Sequence, residues 1–176
     1  ERITVKDNGH GMTEEILKDV WMQPGASSHV ENNTIYSRKL HRTVYGKNGI
    51  GRYSVQRIGE EMKLYTRPKG SDYEMVVDID WKIFDEDLPL EQVTIPMTME
   101  SEPKIFADGN GTMIEITSID TYNFKYDYNM LKDIYEYIKK IESPFHEDAF
   151  SISFKTIPDM HIDVDYDVKK LLNVAP

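Results

Sequence analysis

The sequence predicts an α+β fold, a two-layer α/β sandwich in which helices cover one face of a mostly antiparallel sheet. Several short segments alternate apolar and polar residues between turn residues, as hairpin-connected strands do. Other segments repeat apolar residues at helical spacing. The chain has 176 residues, of which 39% are hydrophobic, so it is long enough for one ordinary domain with its own core.

The start of the chain predicts a strand, a glycine turn and a helix. Residues 2–6 alternate and are rich in β-formers, and the glycine-containing run 7–11 then breaks the pattern. Thr13 is a candidate N-cap, because two glutamates follow it at the positive end of a helix. The apolar face of that helix continues to about Trp21.

The next segment predicts a loop and a second helix. Residues 22–48 lack sustained periodicity and contain Pro-Gly, Ser-Ser and Asn-Asn pairs. A loop of this length in a compact domain is usually functional, so we expect a mobile lid. The second helix is predicted from about residue 49 to residue 58, with Gly59 as its stop.

The middle of the chain predicts most of the sheet. Residues 62–66 and 75–81 alternate on either side of a turn, which predicts a hairpin. Residues 92–99 and 112–119 are further strand candidates. Helical spacing then predicts an amphipathic helix over 126–142, which Pro144 closes.

The end of the chain predicts a boundary. Alternation at Phe150, Ile152 and Phe154 predicts one more strand. We therefore expect a domain over residues 1–145, followed over 146–176 by a final strand and either a linker or the start of another domain.

Composition narrows the class of protein. The formal net charge of −10 disfavours a general nucleic-acid surface, because the field of the molecule repels polyanions. The absence of Cys excludes disulfide frameworks, thiol nucleophiles and cysteine-ligated zinc, and it is compatible with the reducing cytoplasm, where we expect the protein. The sequence contains no run of about 18 apolar residues, so it predicts no membrane-spanning helix.

One stretch reverses this acidic average. Between Asn32 and Gly59 there is no Asp or Glu, which fits either a solvated basic face or a site for a small polyanion. The cations of this stretch are Arg38, Lys39, Arg42, Lys47, Arg52 and Arg57.

Three glycine-containing segments carry the candidate chemistry, at residues 7–12, 46–52 and 109–114. Glycine lets the backbone approach a ligand closely, and amides at a helix start bind anions, although each segment could also be an ordinary turn. The segment 46–52 lacks the spacing and the trailing Lys-Ser/Thr of a P-loop. It also lacks the third glycine of a dinucleotide-binding turn.

Taken in order, these segments resemble the GHKL-type ATPases, the superfamily named for DNA gyrase, the heat-shock chaperone, histidine kinases and MutL. The resemblance rests on Asp-x-Gly-x-Gly after a strand, Gly-x-x-Gly-x-Gly-Arg opening a helix, and Gly-Thr-x-Ile in a strand. It is closest to the chaperone-like and MORC-like branch, and it implies the Bergerat-type ATP-binding fold. Within this family the chain is expected to bind ATP.

The resemblance implies a role for each matching residue. Asp7 would accept the adenine amino proton, Met12 would pack against the ring, and Thr112 would hold a water that bridges Asp7 and the base. The backbone would close on adenine and ribose at Gly9 and Gly11. The residues expected to face the phosphates are Lys47, Asn48, Gly49, Ile50, Gly51 and Arg52.

The resemblance also implies elements that this chain does not show. Family members carry a catalytic Glu that orients the attacking water and an Asn that binds Mg²⁺ on a helix before the first motif strand. We therefore expect an N-terminally truncated fragment, inactive as an ATPase, whose intact form uses ATP and Mg²⁺. A homodimer of the intact form is a further expectation. The expected function is an ATP-driven conformational switch; the alternative is a nucleotide-binding or protein-interaction module without hydrolysis.

Overall fold

The computed structural model describes residues 1–22, 51–84, 93–122, 126–141 and 152–156. The chain divides into two compact units, Glu1–Asp120 and Thr121–Pro176. The first unit contains all five strands of the described structure.

The first unit is built on an antiparallel sheet of five strands. In chain order the strands are β1 (Ile3–Lys6), β2 (Gly59–Arg67), β3 (Glu74–Asp80), β4 (Met97–Glu100) and β5 (Gly111–Ile119). Their spatial order is β1-β5-β2-β3-β4. The last strand in the chain, β5, therefore lies between the first two strands, β1 and β2. The predicted hairpin is confirmed as β2 and β3, in which Leu64 pairs with Val77.

One face of this sheet forms the core. Residues two apart along a strand share a face, so the register places the alternating apolar residues of β2 and β3 side by side. The buried cluster consists of Leu17, Met62, Leu64, Met75, Val77, Ile79 and Trp81. Leu17 comes from the first helical segment and is completely buried, which shows that this segment covers the core face. The α+β prediction with a mainly antiparallel sheet is confirmed.

The first helical segment begins where the sequence predicts. Helix α1 (Glu14–Ile16) is capped by Thr13, whose side-chain oxygen accepts a hydrogen bond from the Ile16 amide at 3.3 Å. The segment then widens into a π-helical turn over Leu17–Trp21, where the Met22 amide donates to the Leu17 carbonyl at 2.8 Å. Trp21 and Met22 pack against the core cluster.

Two predictions for the second helix need correction. The described part is a 3-10 helix, Gly51–Arg57, and residues 49–50 lie outside the described residues. Gly59 does not stop it in a left-handed conformation, but is the buried first residue of β2. A Cβ at Gly59 would lie 2.4 Å from the Thr117 carbonyl oxygen, so close strand packing requires the glycine.

Two strand predictions also change. The strand expected over 92–99 begins only at Met97, because Pro96 has no N–H to donate to the ladder. The Pro96 carbonyl still accepts from the Asp78 amide at 3.1 Å. The strand expected around residues 150–154 is absent from the described residues 152–156, which lie in no helix or strand.

The second unit contains helix α2 (Tyr128–Ile141), close to the predicted 126–142. Asp127 caps it, because its carboxylate accepts from the Met130 amide at 3.0 Å. The rings of Tyr135 and Phe154 lie 5.8 Å apart between centroids. None of the helices in the described ranges combines the length and the apolar character needed to cross a membrane.

Candidate functional site

The site begins at the end of β1, where Asp7 follows the last strand residue. The Asp7 amide donates to the Thr112 carbonyl at 2.8 Å, which extends the pairing of β1 with β5 by one residue. The carboxylate oxygen Oδ1 accepts from the amides of Gly9 at 2.7 Å and Thr112 at 3.2 Å. Within the described residues, no hydrogen bond engages the second oxygen, Oδ2. In the part of the chain that the structure describes, Asp7 therefore presents a fixed carboxylate whose Oδ2 can accept from a further donor.

Gly11 allows the loop after Asp7 to pass directly against β2. Its φ is +67°, in the left-handed region, and a Cβ there would lie 1.9 Å from the carbonyl oxygen of Arg67. The neighbouring His10 carbonyl accepts from the Lys69 amide at 2.8 Å. The loop is thus attached to the start of the β2–β3 turn, and no larger residue fits at Gly11.

Thr66 joins this loop to β5. Its side chain is completely buried, and its hydroxyl accepts from the Met12 amide at 2.8 Å. The same hydroxyl lies 3.1 Å from the carbonyl oxygen of Gly111 and 3.2 Å from the hydroxyl oxygen of Thr112. The two threonines also face each other in the β2–β5 register. The buried Thr66 hydroxyl therefore contacts both segments that the sequence predicts to bind adenine, residues 7–12 and 109–114.

The segment before β5 is tied to the loop after β1. The Asn110 side-chain amide donates to the Gly9 carbonyl. Gly111 has a φ of +149°, and a Cβ on it would lie 2.2 Å from the Asp7 carbonyl oxygen. Asp7, Gly9, Gly11, Met12, Thr66 and Thr112 thus form one connected group, the Asp7 cluster.

A buried carboxylate holds this segment from the other side. Glu74 is 2% exposed, and its carboxylate accepts from the amides of Phe106 at 3.0 Å and Ile105 at 3.5 Å. The Arg67 guanidinium donates to the carbonyls of Phe106 and Ala107, and also to that of Ser71. These bonds fix residues 105–107 onto β2 and β3.

Lys6 adds a contact at the end of β1. Its ammonium donates to the Ile105 carbonyl at 3.0 Å and lies 4.6 Å from the centroid of the Phe106 ring. The Phe106 ring in turn lies against Gly111, where a Cβ would come within 2.8 Å of Cε1. The segment before β5 is therefore supported by β1, β2 and β3 together.

The structure brings together five of the residues that the sequence predicts for nucleotide contact, namely Asp7, Gly9, Gly11, Met12 and Thr112. Gly51 and Arg52 begin the 3-10 helix, whose Val55 packs against the core cluster. The other four, Lys47, Asn48, Gly49 and Ile50, lie outside the described residues, as do residues 23–46 of the expected lid.

Sequence reasoning missed four supporting residues: Thr66, Arg67, Glu74 and Asn110. Thr66 carries a usable signal, because it is the polar member of the apolar alternation Met62-Leu64-Thr66. A polar side chain on the core face of a strand needs a hydrogen-bond partner. Glu74, which lies on the opposite face, gives no such signal, because its partners are amides of a segment about thirty residues away.

The acidic and histidine side chains give no metal centre in the described ranges, where no group of three or more His, Asp or Glu could hold an ion. The Asp7 cluster offers a single carboxylate and two threonine hydroxyls, held in place by backbone amides that donate within the cluster. That set suits a neutral hydrogen-bonding ligand such as a nucleobase edge.

Comparison with known proteins identifies the family. The family model described as "Histidine kinase-, DNA gyrase B-, and HSP90-like ATPase" matches residues 1–112. The matched range includes every residue of the Asp7 cluster. No curated protein matches the chain.

Proposed function

The chain belongs to the family of histidine kinase-, DNA gyrase B- and HSP90-like ATPases, and on that premise we propose that its Asp7 cluster binds the adenine of ATP, and that ATP acts as a conformational switch. The observation that carries the proposal is the fixed Asp7 carboxylate, with Oδ1 held by Gly9 and Thr112. A carboxylate oxygen only accepts hydrogen bonds. It therefore suits the exocyclic amino group of adenine.

The remaining contacts follow the same chemistry. Met12 packs on the purine ring, Thr112 holds a water between Asp7 and the base, and the backbone at Gly9 and Gly11 lies close to adenine and ribose. The triphosphate meets amides and cations of residues 47–52. Amides at the start of a helix and lysine or arginine side chains are suited to phosphate oxygens. Mg²⁺ accompanies the triphosphate in this proposal.

The binding experiment is a calorimetric titration of the protein with Mg-ATP. Asp7→Asn keeps an oxygen for the Gly9 and Thr112 amides but places an NH₂ where Oδ2 was. A donor then faces the adenine amino group, and we expect affinity to fall by about 100-fold or more. Asp72→Asn, the same change on an exposed turn residue, is the matched control. Equal affinity in wild type and Asp7→Asn would remove the assignment.

The switch requires a separate measurement. A nucleotide shifts a conformational equilibrium only if it binds the two states differently. Hydrogen exchange of the protein with ATP, with ADP and without nucleotide should therefore give distinct protection over residues 22–58. Identical exchange with and without saturating ATP would leave binding intact and refute the switch.

The second candidate is a module that binds nucleotide or a protein partner without hydrolysis. Phosphate release by the full-length protein separates the two, because only the ATPase produces ADP. Asp7-dependent turnover supports the ATPase, while Asp7-dependent binding without turnover supports the second candidate. The chaperone-like or MORC-like branch and the cytoplasmic location stay predictions.

A further inference from the structure

Thr66 is the only fully buried polar side chain among the described residues of the Asp7 cluster. Its hydroxyl oxygen has three polar neighbours: the Met12 amide at 2.8 Å, the Gly111 carbonyl at 3.1 Å and the Thr112 hydroxyl at 3.2 Å. The Met12 amide belongs to the loop after β1, whereas Gly111 and Thr112 begin β5. Thr66 therefore lies where these two segments meet.

The three contacts determine where each proton lies. A hydroxyl has one proton and two lone pairs. The Met12 N–H can only donate and the Gly111 carbonyl can only accept, so Thr66 accepts from the first and donates its proton to the second. Its remaining lone pair then accepts the Thr112 proton. The reverse order, with Thr66 donating to Thr112, makes two of these hydrogen bonds instead of three.

We propose that Thr66 is a positioning residue for base recognition. Its hydroxyl holds the Met12 amide in place and accepts the hydrogen bond that the Thr112 hydroxyl donates. The inference rests on the proposed adenine site. Because its proton is donated to Thr66, Thr112 offers only lone pairs to a ligand or a water. The Thr112 hydroxyl and Oδ2 of Asp7 are then two acceptors, and the Thr112 amide connects their residues by donating to Oδ1 of the same carboxylate. Such a pair suits an amino group and a water that donates to Thr112.

The proposal is tested by comparing two changes at Thr66 and one at Thr112, with ATP as the ligand. Thr66→Ser keeps the hydroxyl, and we expect an affinity close to that of wild type. Thr66→Val keeps the shape but removes the proton and both lone pairs, and we expect ATP to bind about tenfold more weakly. Thr98→Val, the same change on an exposed strand residue, is the control and should bind as wild type does.

A double-mutant cycle separates positioning from general destabilisation. If Thr66 acts through the Thr112 hydroxyl, then Thr66→Val costs less affinity in a Thr112→Val background than in the wild-type background. If Thr66 acts only on stability, the losses of ATP affinity in Thr66→Val and Thr112→Val are independent, and the double variant shows their product. Thermal unfolding identifies the variants that are folded, and Thr66→Ala replaces Thr66→Val if the valine variant does not fold.

Three results overturn the proposal: wild-type affinity in Thr66→Val, equal losses in Thr66→Ser and Thr66→Val, or multiplicative losses in the cycle. Each of these requires that the wild-type protein binds ATP in an Asp7-dependent way. Absence of that binding is a different result, because it refutes the proposed function, and with it the ligand on which Thr66 acts.

Discussion

The carboxylate of Asp7 accepts a hydrogen bond of 3.2 Å from the amide of Thr112, which lies 105 residues further along the chain. The same oxygen accepts from the nearby Gly9 amide at 2.7 Å. One bond is local and the other crosses between β1 and β5, so the carboxylate is oriented only when the two strands are paired. The candidate site is therefore a product of the sheet rather than of one loop.

The loop after β1 depends on the absence of a side chain at Gly11. An alanine in the left-handed conformation costs about 1–2 kcal/mol. We expect Gly11→Ala to lower the free energy of unfolding by more than this, because the added Cβ would also clash with the Arg67 carbonyl. Gly70→Ala is the matched control, since Gly70 has a φ of +81° with open space around it. Denaturant unfolding measures both. Equal losses in the two variants would contradict the close approach at Gly11.

The support behind β5 depends on Glu74. Glu74→Ala leaves the buried Phe106 amide and the Ile105 amide without their acceptor, and we expect a loss of about 1–3 kcal/mol in the free energy of unfolding. The same variant should weaken ATP binding, because residues 105–107 lead into Gly111. Glu102→Ala, at an exposed position of the same segment, should change neither quantity. An unfolding midpoint for Glu74→Ala equal to that of wild type would refute this role.

The sheet carries a cross-strand ion pair between Lys63 and Asp78, with 3.0 Å between Nζ and Oδ2. The hydrogen bond and charge of Asp78 raise the pKa of Lys63 above 10.5. A raised lysine pKa in the folded state gives stability that is complete below the unfolded pKa and is lost as the pH rises through the folded value.

We therefore expect Lys63→Met to be less stable than wild type at pH 8, by no more than about 1 kcal/mol, because both side chains are half exposed. The difference should shrink above pH 10.5. Urea unfolding of both proteins at pH 8 and pH 11 measures it. A difference that grows with pH would contradict the assigned sign.

The sequence was sufficient for those parts of the fold that follow from local periodicity. The alternation in β2 and β3, the Thr13 cap and helix α2 all lie within a few residues of their predicted bounds. The periodicity of apolar residues did not reveal the π-helical turn at Leu17–Trp21. Over only five residues, an α-helix and a π-helix place apolar side chains at nearly the same spacing.

The site was predictable only in part, for a similar reason. Asp7 and Thr112 belong to short motifs that can be read in the sequence, whereas Glu74 acts through backbone amides of Ile105 and Phe106. A backbone amide that donates to a carboxylate carries no sequence signature, because every non-proline residue has one. Such partners become visible only once the strands are placed in register.

The central claim is that Asp7 orients an adenine base between the loop after β1 and the start of β5. The most direct test follows the backbone amide signals of Gly9, Gly11, Met12 and Thr112 by nuclear magnetic resonance while ATP is added. We predict that ATP shifts these four signals together, that GTP leaves them nearly unchanged, and that Asp7→Asn abolishes the response while Asp72→Asn retains it. Unshifted signals at saturating ATP, or equal shifts in Asp7→Asn, would contradict the account.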